Sequence, residues 1–450
     1  MTPNKTIDLV FFISRRQVST LLKWLVVLNF VFLAGTWAHH TGFFHFKKPT
    51  ALLLLAQCNL GKENVAASWY SSMLFLVTGL VAFYCCWADW VKSTNYKGRV
   101  LSMGWMVMAG IFMLLSFDEM GSFHEMIGET SLLKSTGSGK RAGWYAFYFV
   151  CALVALFMIV FFVYRFRKNK TTLLLTIVGV LFFVSNPIQE KFEIHSWRNA
   201  ADPSTWKRPV IFLLMEEGSE IFASFFFLFS FLTYAITASS SGRPVGIHFQ
   251  ARLGKAVLLI MALLLLLLAL LKLLIHFNAW NFARDDNGIP RNWPPSMLFL
   301  ITFLAAWGIY RSADKPYRFP SLLLALTALA SSLYFGANLY GYYGHGYANG
   351  LFGILPYGLF AASLVTCIFL IRAPGNIAMK SCWVLWLTGI FLSVMLSNST
   401  ISVIPTFAGY FAACCLIAGL SIGIASRSYL QPASADLIPQ EITYFVRGFG

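Results

Sequence analysis

Two short stretches concentrate the side chains that can do acid–base or metal chemistry. Phe117-Asp118-Glu119-Met120-Gly121-Ser122-Phe123-His124-Glu125-Met126-Ile127-Gly128-Glu129 carries four carboxylates and an imidazole, and Leu214-Met215-Glu216-Glu217-Gly218-Ser219-Glu220 carries three carboxylates. On a helix, the spacing of four, three and four places Asp118, Ser122, Glu125 and Glu129 on one face, and Glu220 lies one turn beyond Glu216 and Glu217. His124 joins that face only if Gly121 bends the chain. Apolar runs flank both stretches, Ile111 to Phe117 and Ile221 to Phe229. An ionisable group at membrane depth costs roughly 2.5 to 3.5 kcal/mol on insertion scales, so a cluster needs shared protons, a basic partner or a cation.

Carboxylates with an imidazole, projected inward from facing helices, are the donor set of Fe, Mn or Zn sites embedded in bundles. The expected site therefore has Asp118, Glu119, His124, Glu217 and Glu220 binding one or two divalent cations, with Glu125 and Glu216 moving protons from an activated water. The sequence has neither the Glu-x-x-His spacing of di-iron bundles here nor a His-Glu-x-x-His zincin motif. Lys191, Arg198, Lys207 and Arg208 are near enough in sequence to pair with some of the carboxylates. Glu129, Asp202, Asp285 and Asp286 read as hydrated interfacial acids, and His39, His40 and His45 as interfacial residues. Glu190 and Glu193 follow the fifth apolar run, and Glu63 could fold back toward the cluster.

The elements that must position these groups are transmembrane helices. A chain of 450 residues that is 58% hydrophobic and only 12% charged has the bilayer as its solvent, and helices are the architecture that satisfies the backbone there. Apolar runs long enough to cross a hydrocarbon core of roughly 30 Å fall at about 18–38, 69–88, 100–117, 143–164, 171–187, 210–236, 254–276, 295–310, 319–340, 349–371, 382–400 and 406–425. The fold class is an all-α polytopic membrane protein of about twelve spans. Trp69, Tyr70, Trp87 and Trp90 read as aromatic-belt anchors at span ends. The eight cysteines lack metal-type spacing and read as small core residues.

Basic clusters sit in alternate connections, among them Arg15 with Arg16, Lys97 with Arg99, and Arg165, Arg167, Lys168 and Lys170. By the positive-inside rule these are cytoplasmic, which puts both termini inside. Thirteen of the eighteen acidic residues then fall on the external side. The net charge of +16 is spread over loops rather than one soluble face, which excludes nucleic acid as a partner.

Sliding the chain by 224 residues aligns Trp69 with Trp293, Ser72 with Ser296, Met73-Leu74-Phe75-Leu76 with Met297-Leu298-Phe299-Leu300, Thr78 with Thr302 and Leu80 with Leu304. That is eight matches in twelve positions. The expectation is two parallel six-helix repeats, with residues 1–240 carrying the carboxylate and histidine cluster and 241–450 a degenerate copy. Where the first has Asp118, Glu119 and His124, the second has Asn338, Leu339 and Gly344.

Glu63-Asn64, Trp69-Tyr70-Ser71-Ser72, the Asp118-Glu119 and His124-Glu125 segment and Glu216-Glu217 with Glu220 together resemble an uncharacterised family of bacterial multi-span membrane proteins. The resemblance covers the first half, carries no activity with it, and implies the inner (plasma) membrane of a bacterium. A looser likeness is to the alkaline ceramidase superfamily of metal-dependent membrane hydrolases; here carboxylates stand where that superfamily has its second histidine pair.

Three functions are expected of such a chain. The first is a metal-dependent membrane hydrolase or oxidase acting on a lipid or lipid-linked substrate from the outer leaflet. The second is a proton- or cation-coupled transporter, and the third a membrane subunit or assembly scaffold whose protein partners the sequence does not name.

Overall fold

The computed structural model describes residues 7–10, 15–43, 49–62, 65–121, 141–198, 208–239, 246–249, 293–312, 315–337, 351–372, 377–395 and, near the end, 409, 412, 413, 415 and 416. The chain divides into two compact units, residues 13–241 with 282–290 and residues 1–12 with 242–281 and 291–450. Apart from one short two-stranded ribbon, the described elements are helices. Among the described residues, seven helices are long and apolar enough to cross a membrane: Val18–Thr41, Ala66–Trp90, Tyr96–Met120, Phe149–Phe166, Lys170–Gln189, Val210–Thr237 and Arg318–Gly336. Three shorter apolar helical segments, Pro295–Gly308, Tyr357–Arg372 and Met379–Ser393, fall where further spans are expected. The expected span at 254–276 and nearly all of that at 406–425 lie outside the described residues.

The first of the two units contains α1 (Arg15–Thr41), α2 (Pro49–Ala56), α3 (Ala66–Lys92), α4 (Tyr96–Gly121), α5 (Arg141–Phe166), α6 (Lys170–Arg198) and α7 (Val210–Ser239). Long apolar runs make these helices, because a backbone in hydrocarbon must satisfy its own N–H and C=O groups. Helix α2 is too short to span, and with the turn after it forms a plug between α1 and α3. Thr36 of α1 fixes that plug: its hydroxyl contacts the Cys58 carbonyl at 2.9 Å and accepts the Leu60 N–H at 3.0 Å. Gln57 then starts α3, its side-chain oxygen accepting the Ala66 N–H at 2.9 Å and its backbone oxygen the Ala67 N–H at 3.0 Å. These bonds satisfy first-turn donors that a helix cannot satisfy itself.

Small and hydroxylated residues let the spans approach. Ser72 of α3 donates to the Ser116 carbonyl of α4 at 2.5 Å, and a Cβ on Gly79 would stand 3.1 Å from the Ala109 carbonyl. Helices α6 and α7 meet through Thr176 and Ser230, whose hydroxyls are 2.5 Å apart, and through Gly179 against the Ala223 carbonyl. Around Trp105 the core is aromatic, with Phe161, Phe162 and Phe231 edge-on to it and Phe166 and Tyr234 tilted against it. Tyr70, expected as an interfacial anchor, is instead buried and donates to Asn29 Oδ1 of α1 at 2.5 Å. The phenol finds a buried amide on a neighbouring span, and that partner decides its place. Trp87 and Trp90 are exposed on the helix surface.

The other unit contains the ribbon of β1 (Ile7–Val10) and β2 (Gly246–Phe249), paired antiparallel with Ile7 opposite Phe249. Its helices are α8 (Trp293–Ser312), α9 (Lys315–Gly336), α10 (Leu351–Arg372) and α11 (Ile377–Met395). Its core gathers Phe299, Phe335, Trp383 and Trp386. Ser296 of α8 donates to the Ser332 carbonyl of α9 at 2.8 Å.

Candidate functional site

Helix α4 ends at Gly121, and its last turn presents Glu119. Helix α7 presents Glu217 and Glu220 from its second and third turns, three residues apart and so on one face. These three half-buried carboxyl groups converge: one oxygen from each lies within 4.8 Å of the others. Glu119 is also a hydrogen-bond neighbour of Glu220.

Helix α6 supplies the polar wall behind them. Asn186 donates from Nδ2 to Glu220 Oε1 at 2.8 Å, and its own Oδ1 contacts the Ser219 hydroxyl. Gln189 donates from Nε2 to Ser185 Oγ at 2.9 Å, and the Ser219 hydroxyl lies 2.8 Å from the Glu216 carbonyl. Pro187 sits within this helix and has no N–H, so the regular ladder is interrupted beside Asn186. The network fixes the Glu220 side chain by hydrogen bonds rather than leaving it to choose rotamers.

Glu216 faces elsewhere. Arg208, just ahead of α7, bridges Glu216 and Glu193 of α6, the latter at 2.9 Å, in a partly exposed cluster. Between α6 and α7 on the same side opens a groove of about 430 Å³ lined by Gln189, Phe192, Ser196, Phe212 and Met215. Its polar edge, Gln189, belongs to the network that reaches Glu220 through Ser219 and Asn186.

Of the residues expected at a metal site, then, the structure brings together Glu119, Glu217 and Glu220. Asp118 is half-buried and is not one of the three. His124 and Glu125 lie outside the described residues, as do Glu63 and Glu129; Glu190 lies in α6 and its side chain is not described. Sequence reasoning missed Asn186, Gln189 and Ser219 as supports. The signal for them was present as polar residues at the end of an apolar run beside a proline, Ser185-Asn186-Pro187.

Three carboxylate charges this close repel strongly. At 4.8 Å and an effective dielectric of about 20, each ionised pair costs about 3.5 kcal/mol. The cluster can therefore hold a cation among its oxygens or keep one or more protons. Both capacities are chemically useful, the first for polarising a bound water and the second for transferring protons.

Residues 23–235 match a domain of unknown function, DUF8692. The match runs from α1 to α7 and so takes in all three carboxylates. No curated protein and no solved structure matches the chain.

Proposed function

We propose that Glu119, Glu217 and Glu220 form the cation site of a metal-dependent membrane enzyme that acts on a lipid or lipid-linked substrate at the extracytoplasmic face. The convergence of the three carboxyl groups within 4.8 Å carries this reading. Carboxylate-rich donors favour Mn or Fe over Zn, and Asp118 and His124, close to Glu119 in sequence, would complete the set. Glu125 and Glu216 are the proposed proton carriers, Glu216 being held at the rim by Arg208. The groove between α6 and α7 supports an amphiphilic substrate, because its apolar walls end at the polar network behind Glu220.

The wider architecture proposed is two parallel six-helix repeats, residues 1–240 and 241–450, twelve spans in all, with both termini cytoplasmic in a bacterial inner membrane. A recurring serine clasp supports the repeat. Ser72 and Ser116 exchange hydroxyl contacts between α3 and α4, and Ser296 and Ser332 do the same between α8 and α9. Thr78 and Thr302, aligned by the same shift, each donate to the carbonyl one turn back at 2.8 Å.

Metal analysis of the purified protein tests the function. Stoichiometric metal in the wild type, lost in a folded Glu217→Ala, His124→Ala variant, is the expected result; no metal under any redox condition overturns it. A second reading, proton- or cation-coupled transport, draws on the depth of Glu220 within the Val210–Thr237 span. Proton movement in liposomes by metal-free protein would favour it. A protein partner that copurifies in fixed ratio would favour a subunit or scaffold role.

A further inference from the structure

The end of α5 remote from the carboxylates carries a second groove, of about 420 Å³, lined by Ile159, Val160, Val163, Tyr164 and Arg167. Its apolar wall is exposed in the span itself, with Val160 at 60% and Ile159, Val163 and Tyr164 between 44% and 50%. The chain then turns at once into α6, so that Arg167, Lys168 and Lys170 stand together at the helix ends, all exposed.

The turn is held in place. The Asn169 N–H bonds the Phe166 carbonyl at 2.7 Å, and its Oδ1 accepts the Thr172 N–H at 3.2 Å, capping α6. Arg165 is committed to buried Asp89. Arg167, Lys168 and Lys170 have no carboxylate partner among the described residues, and the Arg167 guanidinium lies 5.0 Å from the centre of the Tyr164 ring, at the polar end of the groove. An exposed apolar stripe along one span, ending at three cations that have no carboxylate partner among the described residues, matches the chemistry of one kind of molecule.

We infer that this groove seats an anionic phospholipid, with an acyl chain along Ile159, Val160 and Val163 and its phosphate among Arg167, Lys168 and Lys170. The charge complementarity decides the headgroup. Juxtamembrane cations attract anionic lipid by an amount that corresponds to about five-fold in affinity per Lys or Arg. Three of them amount to about a hundred-fold preference over a zwitterionic lipid with the same chains. On the proposed orientation the site faces the cytoplasmic leaflet, opposite the carboxylates, and it stands whether or not those carboxylates bind metal.

The test is native mass spectrometry of the full-length protein in a mild non-ionic detergent, titrated with phosphatidylglycerol and with phosphatidylcholine of identical chains. The wild type is expected to prefer phosphatidylglycerol by ten-fold or more. Arg167→Gln, Lys168→Gln, Lys170→Gln should bring the two lipids to within about two-fold, and Val160→Trp, which fills the groove, should weaken both. Should the triple variant not be recovered folded, Lys168→Gln, Lys170→Gln alone carries the same direction, because both side chains are exposed. No preference in the wild type, a preference that survives neutralisation, or unchanged binding in Val160→Trp each overturns the assignment.

Discussion

Tyr234 of α7 donates its hydroxyl to Asp89 Oδ1 of α3 at 2.7 Å, across 145 residues of sequence. The other carboxylate oxygen accepts Trp105 Nε1 of α4 at 2.8 Å and pairs with Arg165 of α5. One carboxylate, 5% exposed, thus ties four helices at the end of the bundle away from Glu119, Glu217 and Glu220. Removing it leaves Arg165 and two neutral donors in a low-dielectric setting with nothing to bond. Breaking a buried ion pair by deleting one partner costs about 3 to 5 kcal/mol. Asp89→Ala should therefore lower the thermal midpoint sharply in detergent, whereas Tyr234→Phe, which removes one hydrogen bond to a charged group, should cost about 1.5 to 3 kcal/mol. Adding Arg165→Met to Asp89→Ala should restore part of the loss; no recovery would show that the cost lies in packing instead.

Adjacent glutamates should separate binding from proton transfer. Glu217 is one of the three converging carboxylates, and Glu216, one residue earlier, is held by Arg208. Glu217→Gln should strip metal from the purified protein, while Glu216→Gln should leave metal content unchanged and lower turnover, as removal of a proton carrier does, by about 100-fold or more. Metal retention in the wild type should also fall as pH drops, because carboxylate ligands must be deprotonated to bind. Equal metal loss in the two variants would place Glu216 in the ligand set.

The groove beside Gln189 offers a substrate prediction. Met215 and Phe212 line it from α7, and neither is one of the converging carboxylates. Met215→Trp should raise the KM for a long-chain lipid by about ten-fold, equivalent to about 1.4 kcal/mol of lost binding, with metal content intact. A short-chain, water-soluble analogue should be turned over as before. Loss of activity toward both substrates would instead indicate a displaced α7.

The spans of the first unit were legible because apolar runs of eighteen or more residues have one solution in a bilayer. Helical spacing puts Glu220 one turn beyond both Glu216 and Glu217, and the packing of α7 decides that Glu217 joins it while Glu216 turns to Arg208. Glu119 could be assigned to the same membrane face by counting spans, but its approach to within 4.8 Å depends on how α4 packs against α7, which periodicity does not encode. Asp89 shows the limit more plainly. Placed by sequence at a span end, it looks like an interfacial acid, and nothing local announces that Trp105, Arg165 and Tyr234 will surround it. The α2 segment carries no span signal, because eight residues are too few to cross a bilayer, and its anchor, Thr36, sits inside a neighbouring span.

Two glycines of the α3–α4 pair offer the sharpest check on the packing. A Cβ at Gly79 would meet the Ala109 carbonyl at 3.1 Å, Met113 at 3.3 Å and Phe112 at 3.4 Å, all on the facing helix. Gly110 is next to Ala109 in sequence, yet a Cβ there meets nothing within 4 Å. Gly79→Leu must therefore push α3 away from α4 or force a strained rotamer, at a cost of about 1 to 3 kcal/mol. Gly110→Leu points into open space and removes a poor helix former, so it should leave stability unchanged or raise it. Because α3 and α4 also carry Ser72, Ser116 and Glu119, separation at Gly79 should loosen the carboxylate cluster as well, and metal should be lost along with stability. Comparable thermal midpoints for the two leucine variants would mean that α3 and α4 do not pack through Gly79.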